Sequence, residues 1–235
     1  AAVSDLWGVR RGALCLPVRG RSTGDRMALG PDIVCTLKLQ IGRPMNLSLH
    51  EEVTRFVRAS PWFMSALEAV QSLQLASWCI GAGAVRNLVW DHLHGHERPS
   101  ALADVDVAYF DAHPGRPDQD AGIEAKLRAL EPGLPWEVTN QAFVHVWFER
   151  CFGHPVPPLT SLEEAVASWP EYATSVGVFL TRAGTLEVIA PHGLADLFGL
   201  QVRRNPVRVS VETYRQRVIQ KQYTKRWPRV TVVPC

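Results

Sequence analysis

Asp104-Val105-Asp106 is the stretch of this chain best equipped for chemistry. Side chains alternate across a strand, so two acids two positions apart point to one face while Val105 and Val107 point to the other. With a rise of roughly 3.3 Å per residue, their attachment points lie about 6–7 Å apart. Carboxylates placed in this way can hold one or two hard divalent ions such as Mg2+, which take oxygen ligands. Two such ions about 3.5–4 Å apart can clamp the attacking and leaving oxygens of a displacement at phosphorus.

A glycine turn precedes the pair. Gly81 and Gly83, around Ala82, lack a Cβ and let backbone come close to a phosphate. A helix opening near Ala84 would aim its free N–H groups and positive dipole end at that phosphate. Arg86, in the first turn, could add a charge-assisted contact. A glycine turn alone says little, and so does a lone DxD. Their order, with Gly83 and Asp104 twenty-one positions apart and one helix between them, says more.

The elements that must position these groups can be read along the chain. Val53, Phe56 and Val57 recur at helical spacing, and Ser60-Pro61 opens a second helix with Trp62, Met64, Leu67, Val70 and Leu73 as its apolar stripe. Residues 76–80 form a short apolar strand before the turn. A helix is expected over 84–94, a strand over 105–110, and a helix over 121–130 that stops at Pro132-Gly133. Residues 137–148 read as strand material, with a hairpin as one arrangement. A helix over 161–168, a hairpin of 175–180 with 185–189, a short helix near 194–198 and a longer one over 211–225 complete the chain. Strands and helices mix without strict alternation, which predicts an α+β fold around one mixed sheet.

Gly-Ala-Gly-Ala-Val-Arg-Asn followed by Asp-Val-Asp-Val resembles the GGxVRD…DxD arrangement of the polymerase-β-like nucleotidyltransferases. That superfamily includes tRNA CCA-adding enzymes and poly(A) polymerases. The resemblance is closer to a bacterial family of small nucleotidyltransferase-type proteins. It is carried by VRNLVWDHLHG, DVDVAYFD, PWEVTNQAFVH, SWPEYATSVGV, LEVIAPHGLADLF and a terminal RWP, and spans about Met45 to Val233. It implies a minimal polymerase-β-like fold, a mixed sheet flanked by helices. It also implies metal-dependent transfer of a nucleoside monophosphate from a nucleoside triphosphate to a hydroxyl or similar acceptor. On that reading Asp104 and Asp106 hold Mg2+, and Gly81, Gly83 and Arg86 seat the triphosphate.

Superfamily members use a third acid on a neighbouring strand, flanked by apolar residues. Leu186-Glu187-Val188 fits that pattern, which makes Glu187 the first candidate. Trp136-Glu137-Val138 is its rival, and Asp111 a more distant one. Two departures from the family pattern bear on nucleotide binding. Ala82 stands where the first glycine of the usual pair is expected, and Asn87 replaces the aspartate after arginine. A catalytically degenerate module that binds nucleotide or RNA is therefore the alternative reading.

Composition sets the outer bounds. The 235 residues suffice for one domain with a good core, and 46% hydrophobic with 20% charged residues is ordinary for a globular protein. No apolar run reaches the length of a membrane span. Five scattered cysteines without a CxxC suit free thiols in a reducing cytoplasm better than disulfides or zinc. Residues 1–44 hold seven basic and three acidic side chains and no sustained periodicity. They are expected to lie outside the nucleotidyltransferase domain of 45–235, as sequence upstream of a start at Met45 or as a disordered basic arm.

Residues 203–229 hold nine basic residues and one acid. They form either a solvated helix face or a surface for a polyanion, with Lys221, Lys225 and Arg226 as candidate phosphate contacts. His92, His94 and His96 are read as residues at a helix end that favour its dipole, ahead of a metal site. Asn140, Gln141 and His145 either satisfy loops or line the cleft, and Trp169-Pro170-Glu171 is architectural. The acceptor, whether small molecule, protein or RNA, and the oligomeric state are not legible.

Overall fold

The computed structural model describes residues 47–113 and 118–235, so the expectation for residues 1–44 lies outside the described residues. Ser48 opens α1 (Leu49–Arg58) with a capping box, its hydroxyl accepting from the Glu51 amide while the Glu51 carboxylate accepts from the Ser48 amide. Pro61 sits at the start of α2 (Pro61–Ser72), as the sequence suggests, but the preceding Ser60 makes no side-chain cap. Val53, Phe56 and Val57 of α1 are buried as the spacing predicts. In α2 Leu67 and Val70 are buried, but Phe63 takes the inward place while Trp62, Met64 and Leu73 of the expected stripe are only half-buried.

Then follow β1 (Trp78–Gly81), α3 (Gly83–His94), β2 (Val105–Tyr109), α4 (Gln119–Leu130) and β3 (Trp136–Asn140). After a 3-10 turn at Gln141–Phe143 come α5 (Val144–Phe152), α6 (Leu162–Ala167), β4 (Gly177–Leu180) and β5 (Leu186–Ile189). The remainder comprises α7 (Ala195–Phe198), β6 (Gln201–Val202), α8 (Val211–Lys221), α9 (Tyr223–Arg226) and β7 (Thr231–Val232). Five strands form one mixed sheet in the order β3-β2-β1-β4-β5, and β6 pairs with β7 apart from it. Only β2 and β3 run parallel in the main sheet, joined by the α4 crossover; its other neighbours are antiparallel. This is the expected α+β mixed sheet.

The two faces of that sheet differ in chemistry. Val105, Val107 and Tyr109 of β2 share a face with Ile80, Val138 and Val178 of neighbouring strands, all buried. Helices lie against this apolar side: Tyr109 donates its hydroxyl to Asp120 of α4 at 2.6 Å. The other face carries Asp106, Cys79 and Glu137.

Two expected elements differ. The strand over 137–148 ends at Asn140, whose side-chain oxygen accepts from the Ala142 amide at 3.1 Å and starts the 3-10 turn that leads into α5. A side chain that offers the backbone a local partner competes with the sheet ladder. The helix over 211–225 breaks at Gln222, which adopts φ 48°. Among the described residues no helix is long and apolar enough to cross a membrane.

Candidate active site

Asp106 lies inside β2, and Asp104 one residue before it. The parallel register pairs Asp106 with Glu137 on β3, so their side chains leave the sheet on the same face. Asp104, Asp106 and Glu137 are all buried, at 8%, 5% and 8% exposure. The charge of Asp106 is felt on the next strand: burial first, then Asp106 and Glu163, push the Cys79 thiol pKa upward. Asp106 and Glu137 thus share one sheet face, with Asp104 just ahead of the strand.

The expected third acid lies elsewhere. Glu187 sits on β5, exposed, with β1 and β4 between it and β2. Three strand spacings put it about 14 Å from Asp106, too far to share a ligand. The acid beside Asp106 is Glu137, flanked by Trp136 and Val138. One helix between two strands did not single out Glu137, because β1 and β2 are also joined by one helix and pair antiparallel. The apolar-acid-apolar pattern alone could not separate the two glutamates. Asp111 lies beyond the end of β2 and accepts from its neighbour His113, whose amide and ring hold its carboxyl below the usual range.

The glycine turn divides into two roles. A Cβ on Gly81 would stand 2.5 Å from the Trp169 ring and 2.9 Å from the Val176 carbonyl oxygen. Gly81 is therefore glycine because an indole packs on it. Trp169 is fully buried, so the architectural reading of Trp169-Pro170-Glu171 holds. Gly83 faces the acids instead, with its Cβ position 3.9 Å from a carboxylate oxygen of Asp104 and 3.6 Å from Nη2 of Arg86. Between them Ala82 holds φ 50° and ψ −116°, outside the regions where side chains sit comfortably. Its amide donates to Val176 at 3.0 Å and its carbonyl accepts from Arg86, which pins the turn at the start of α3.

Arg86 is 3% exposed, and its Nη2 donates to Asn87 at 2.9 Å. Its guanidinium is ringed by Trp90, Tyr223 and Trp227 at 5.6, 5.1 and 5.8 Å from the ring centroids. The aromatics fix a charge that would otherwise be costly to bury. Asp91, one helical turn further on, is a structural hub. It accepts from Trp227 Nε1 at 2.8 Å, from His96 Nδ1 at 2.9 Å and from the Ser100 amide at 2.7 Å. The terminal Arg-Trp-Pro and the Asp in VRNLVWDHLHG are thus two ends of one contact.

The remaining polar candidates are occupied locally. His92 and His94 donate from Nδ1 to the carbonyls of Leu88 and Trp90 on their own helix. Asn140 closes the loop after β2, accepting from the Asp111 amide and donating to its carbonyl. Gln141 donates to the Thr139 carbonyl at 3.4 Å. Glu171 and Arg217 form a buried two-bond ion pair at 2.7 and 3.2 Å, far along the chain from the acids.

A family model described as Nucleotidyltransferase matches residues 68–232. The chain belongs to this nucleotidyltransferase family. Among solved structures it is similar to a protein whose NMR structure is described as revealing a CCA-adding enzyme head domain. The two are 29% identical and superpose with a TM-score of 0.67 over 79% of this chain and 96% of the other. That match carries the polymerase-β-like fold. A tRNA-processing enzyme in an apo form, 16% identical over 81% of this chain and 46% of that one, superposes at a TM-score of 0.42. That superposition is too loose to argue from. No curated protein matches the chain.

Nucleotidyltransferases of this kind typically work with a divalent metal. Among the described residues no group of three or more His, Cys, Asp and Glu is gathered tightly enough to enclose an ion. Magnesium, however, is usually held by one or two carboxylates together with substrate phosphates and water, without an all-protein cage. Asp104 and Asp106, buried beside the open N-terminus of α3, are a donor set of that kind.

Proposed function

We propose that this nucleotidyltransferase moves a nucleoside monophosphate from a nucleoside triphosphate to an acceptor hydroxyl. An acceptor oxygen would form a bond to the α-phosphorus, the bond from that phosphorus to the bridging oxygen would break, and pyrophosphate would leave. Asp104 and Asp106 would hold Mg2+, which when bound offsets the phosphate charge and orients the triphosphate. Glu137 replaces Glu187 as the third carboxylate. From the Asp106 register it would take the acceptor proton. Gly83 gives the triphosphate close access to the first turn of α3, and Arg86 lies directly behind it. Gly81 is left out of the nucleotide contacts, because Trp169 occupies the space beside it.

The pairing of Asp106 with Glu137, beside an Asp104 that faces Gly83, carries this reading. The test is calorimetric titration of each nucleoside triphosphate, with and without Mg2+, into wild type and Asp104→Ala/Asp106→Ala, followed by a pyrophosphate-release assay across small-molecule, protein and RNA acceptors. Metal-dependent binding that disappears in the double variant, with pyrophosphate released by the wild type, is the expected result. Full transfer activity in Asp106→Ala would overturn the assignment.

A second reading is favoured by the strained Ala82 and by Asn87, which ties down the Arg86 guanidinium. In that case the fold binds nucleotide or RNA without chemistry. Nucleotide binding that persists without metal, with no pyrophosphate from any acceptor, would identify it.

A further inference from the structure

The fold returns a cation from the C-terminal segment to the mouth of the site. Arg226 Nη2 donates to the carbonyl of Ala101 at 2.9 Å, three residues before Asp104. Its guanidinium lies 4.4 Å from the centroid of the Trp227 ring, and Arg86 packs at 5.8 Å from the same centroid. Arg86 in turn reaches Gly83, and Gly83 faces Asp104. The neighbours form a closed circuit: Asp104, Gly83, Arg86, Trp227, Arg226, and back to the loop that carries Asp104.

Among the described residues neither guanidinium forms an ion pair with a carboxylate. Glu171 lies within electrostatic reach of Arg86 and Asp91 within reach of Arg226, which offsets part of the repulsion between the two cations and leaves their charge to attract a further anion. Burial first, then the charge of Arg86, lower the Arg226 pKa, against the opposing pull of Asp91. Phosphate oxygens that accepted from both would add charge-assisted hydrogen bonds to these contacts. Trp227 fixes the pair in place, because its Nε1 is held by the buried Asp91 of α3.

We propose that Arg226, supplied by the C-terminal Arg-Trp-Pro segment, acts with Arg86 to bind the phosphate chain of the nucleoside triphosphate. This rests on the nucleotidyl-transfer reading above. Trp227 is the positioning residue. It explains why a segment more than a hundred residues from the acids carries a fixed arginine and tryptophan.

The experiment titrates inorganic tripolyphosphate, the four nucleoside triphosphates and a 5′-hydroxyl oligoribonucleotide into the full chain at one ionic strength. The proteins are wild type, Arg226→Gln and Arg226→Lys, with thermal melting to compare their folding. Arg226→Gln is expected to weaken tripolyphosphate and triphosphate about ten- to a hundredfold, the loss of a charge-assisted contact. Arg226→Lys keeps the charge without the fork and is expected to recover part of the affinity. Unchanged tripolyphosphate affinity in a folded Arg226→Gln overturns the proposal, as does a wild type that binds no tripolyphosphate. A loss confined to the oligoribonucleotide also overturns it, assigning the cation to an acceptor backbone. Arginine-dependent tripolyphosphate binding in a protein that shows no nucleotide preference and no transfer would uphold the anion site while defeating the nucleotidyl-transfer reading.

Discussion

Asp106 and Glu137 occupy matching positions on adjacent parallel strands, each flanked by apolar residues and each buried. In such a pair the acids sit on one face at neighbouring strand spacing, about 4.8 Å between backbones. Glu187 shares their local sequence pattern and not their location, and the two glutamates can therefore be told apart by substitution.

Glu137→Gln is expected to reduce transfer by about a hundredfold or more, in the range seen when a general base or a transition-state contact is removed. Glu187→Gln is expected to stay within about twofold, as befits an exposed residue three strands away. Single-turnover transfer with the preferred nucleotide measures both. A large loss in Glu187→Gln with little in Glu137→Gln would reverse the assignment.

The two glycines of the turn should respond in opposite ways. Gly81→Ala drives a methyl into the Trp169 ring and the Val176 carbonyl oxygen, at 2.5 and 2.9 Å. Neither the buried indole nor the backbone can move far, so a destabilisation of about 1–3 kcal/mol, or more, is expected in denaturant titration. Gly83→Ala meets ordinary contact distances of 3.6 and 3.9 Å. It should melt within a few degrees of wild type while weakening triphosphate binding, because the methyl stands between Arg86 and Asp104. Equal losses of stability in the two variants would contradict this division.

Much of this was legible in the sequence, and the reasons differ by element. Short-range patterns sufficed for α1, α2, β1 and the β4–β5 hairpin, because periodicity and turn residues act locally. DxD and the glycine turn were readable because their chemistry depends on spacing along one strand and one helix. Which glutamate stands beside Asp106 depends on strand order, which no local pattern encodes. The end of β3 was missed because the strand-like run continues beyond Asn140, whose side chain diverts the backbone. The contact of Trp227 with Asp91 joins residues 136 positions apart. A motif list names both ends of such a contact without showing that they meet.

The Glu171–Arg217 pair makes a pH-dependent prediction. Burial opposes the charged form of Glu171, but Arg217, with help from Arg86 and Thr174, holds its pKa below the ordinary 4.5. A carboxyl whose folded pKa is depressed binds fewer protons folded than unfolded, so its stabilisation is fully present above the unfolded value. It is lost as pH falls below about 4.5 and through the lower folded value. Arg217→Met, which strands a buried carboxylate, is expected to cost about 3–5 kcal/mol at neutral pH. The gap between wild type and Arg217→Met should narrow as the pH is taken below 4.5 in chemical denaturation. A gap that widens in acid would show that the pair does not stabilise the charged form.

Ala82 supplies the last prediction, because here the local backbone and the residue disagree. At φ 50° and ψ −116° a Cβ crowds its own peptide, whereas glycine meets no such obstacle. A residue in so sparse a region costs about 1–3 kcal/mol, and glycine adds back a fraction of a kcal/mol to about 1 kcal/mol of unfolded-chain entropy. Relief of strain is the larger effect, so Ala82→Gly is expected to raise stability by about 1 kcal/mol. Its amide bond to Val176 and its carbonyl bond to Arg86 are backbone contacts that survive the change. The position of Gly83 against Asp104 should therefore be kept, and nucleotide affinity should not fall. Denaturant midpoints with and without triphosphate measure both effects. A loss of stability in Ala82→Gly would mean that the alanine methyl makes packing contacts worth more than the backbone strain, consistent with its 2% exposure.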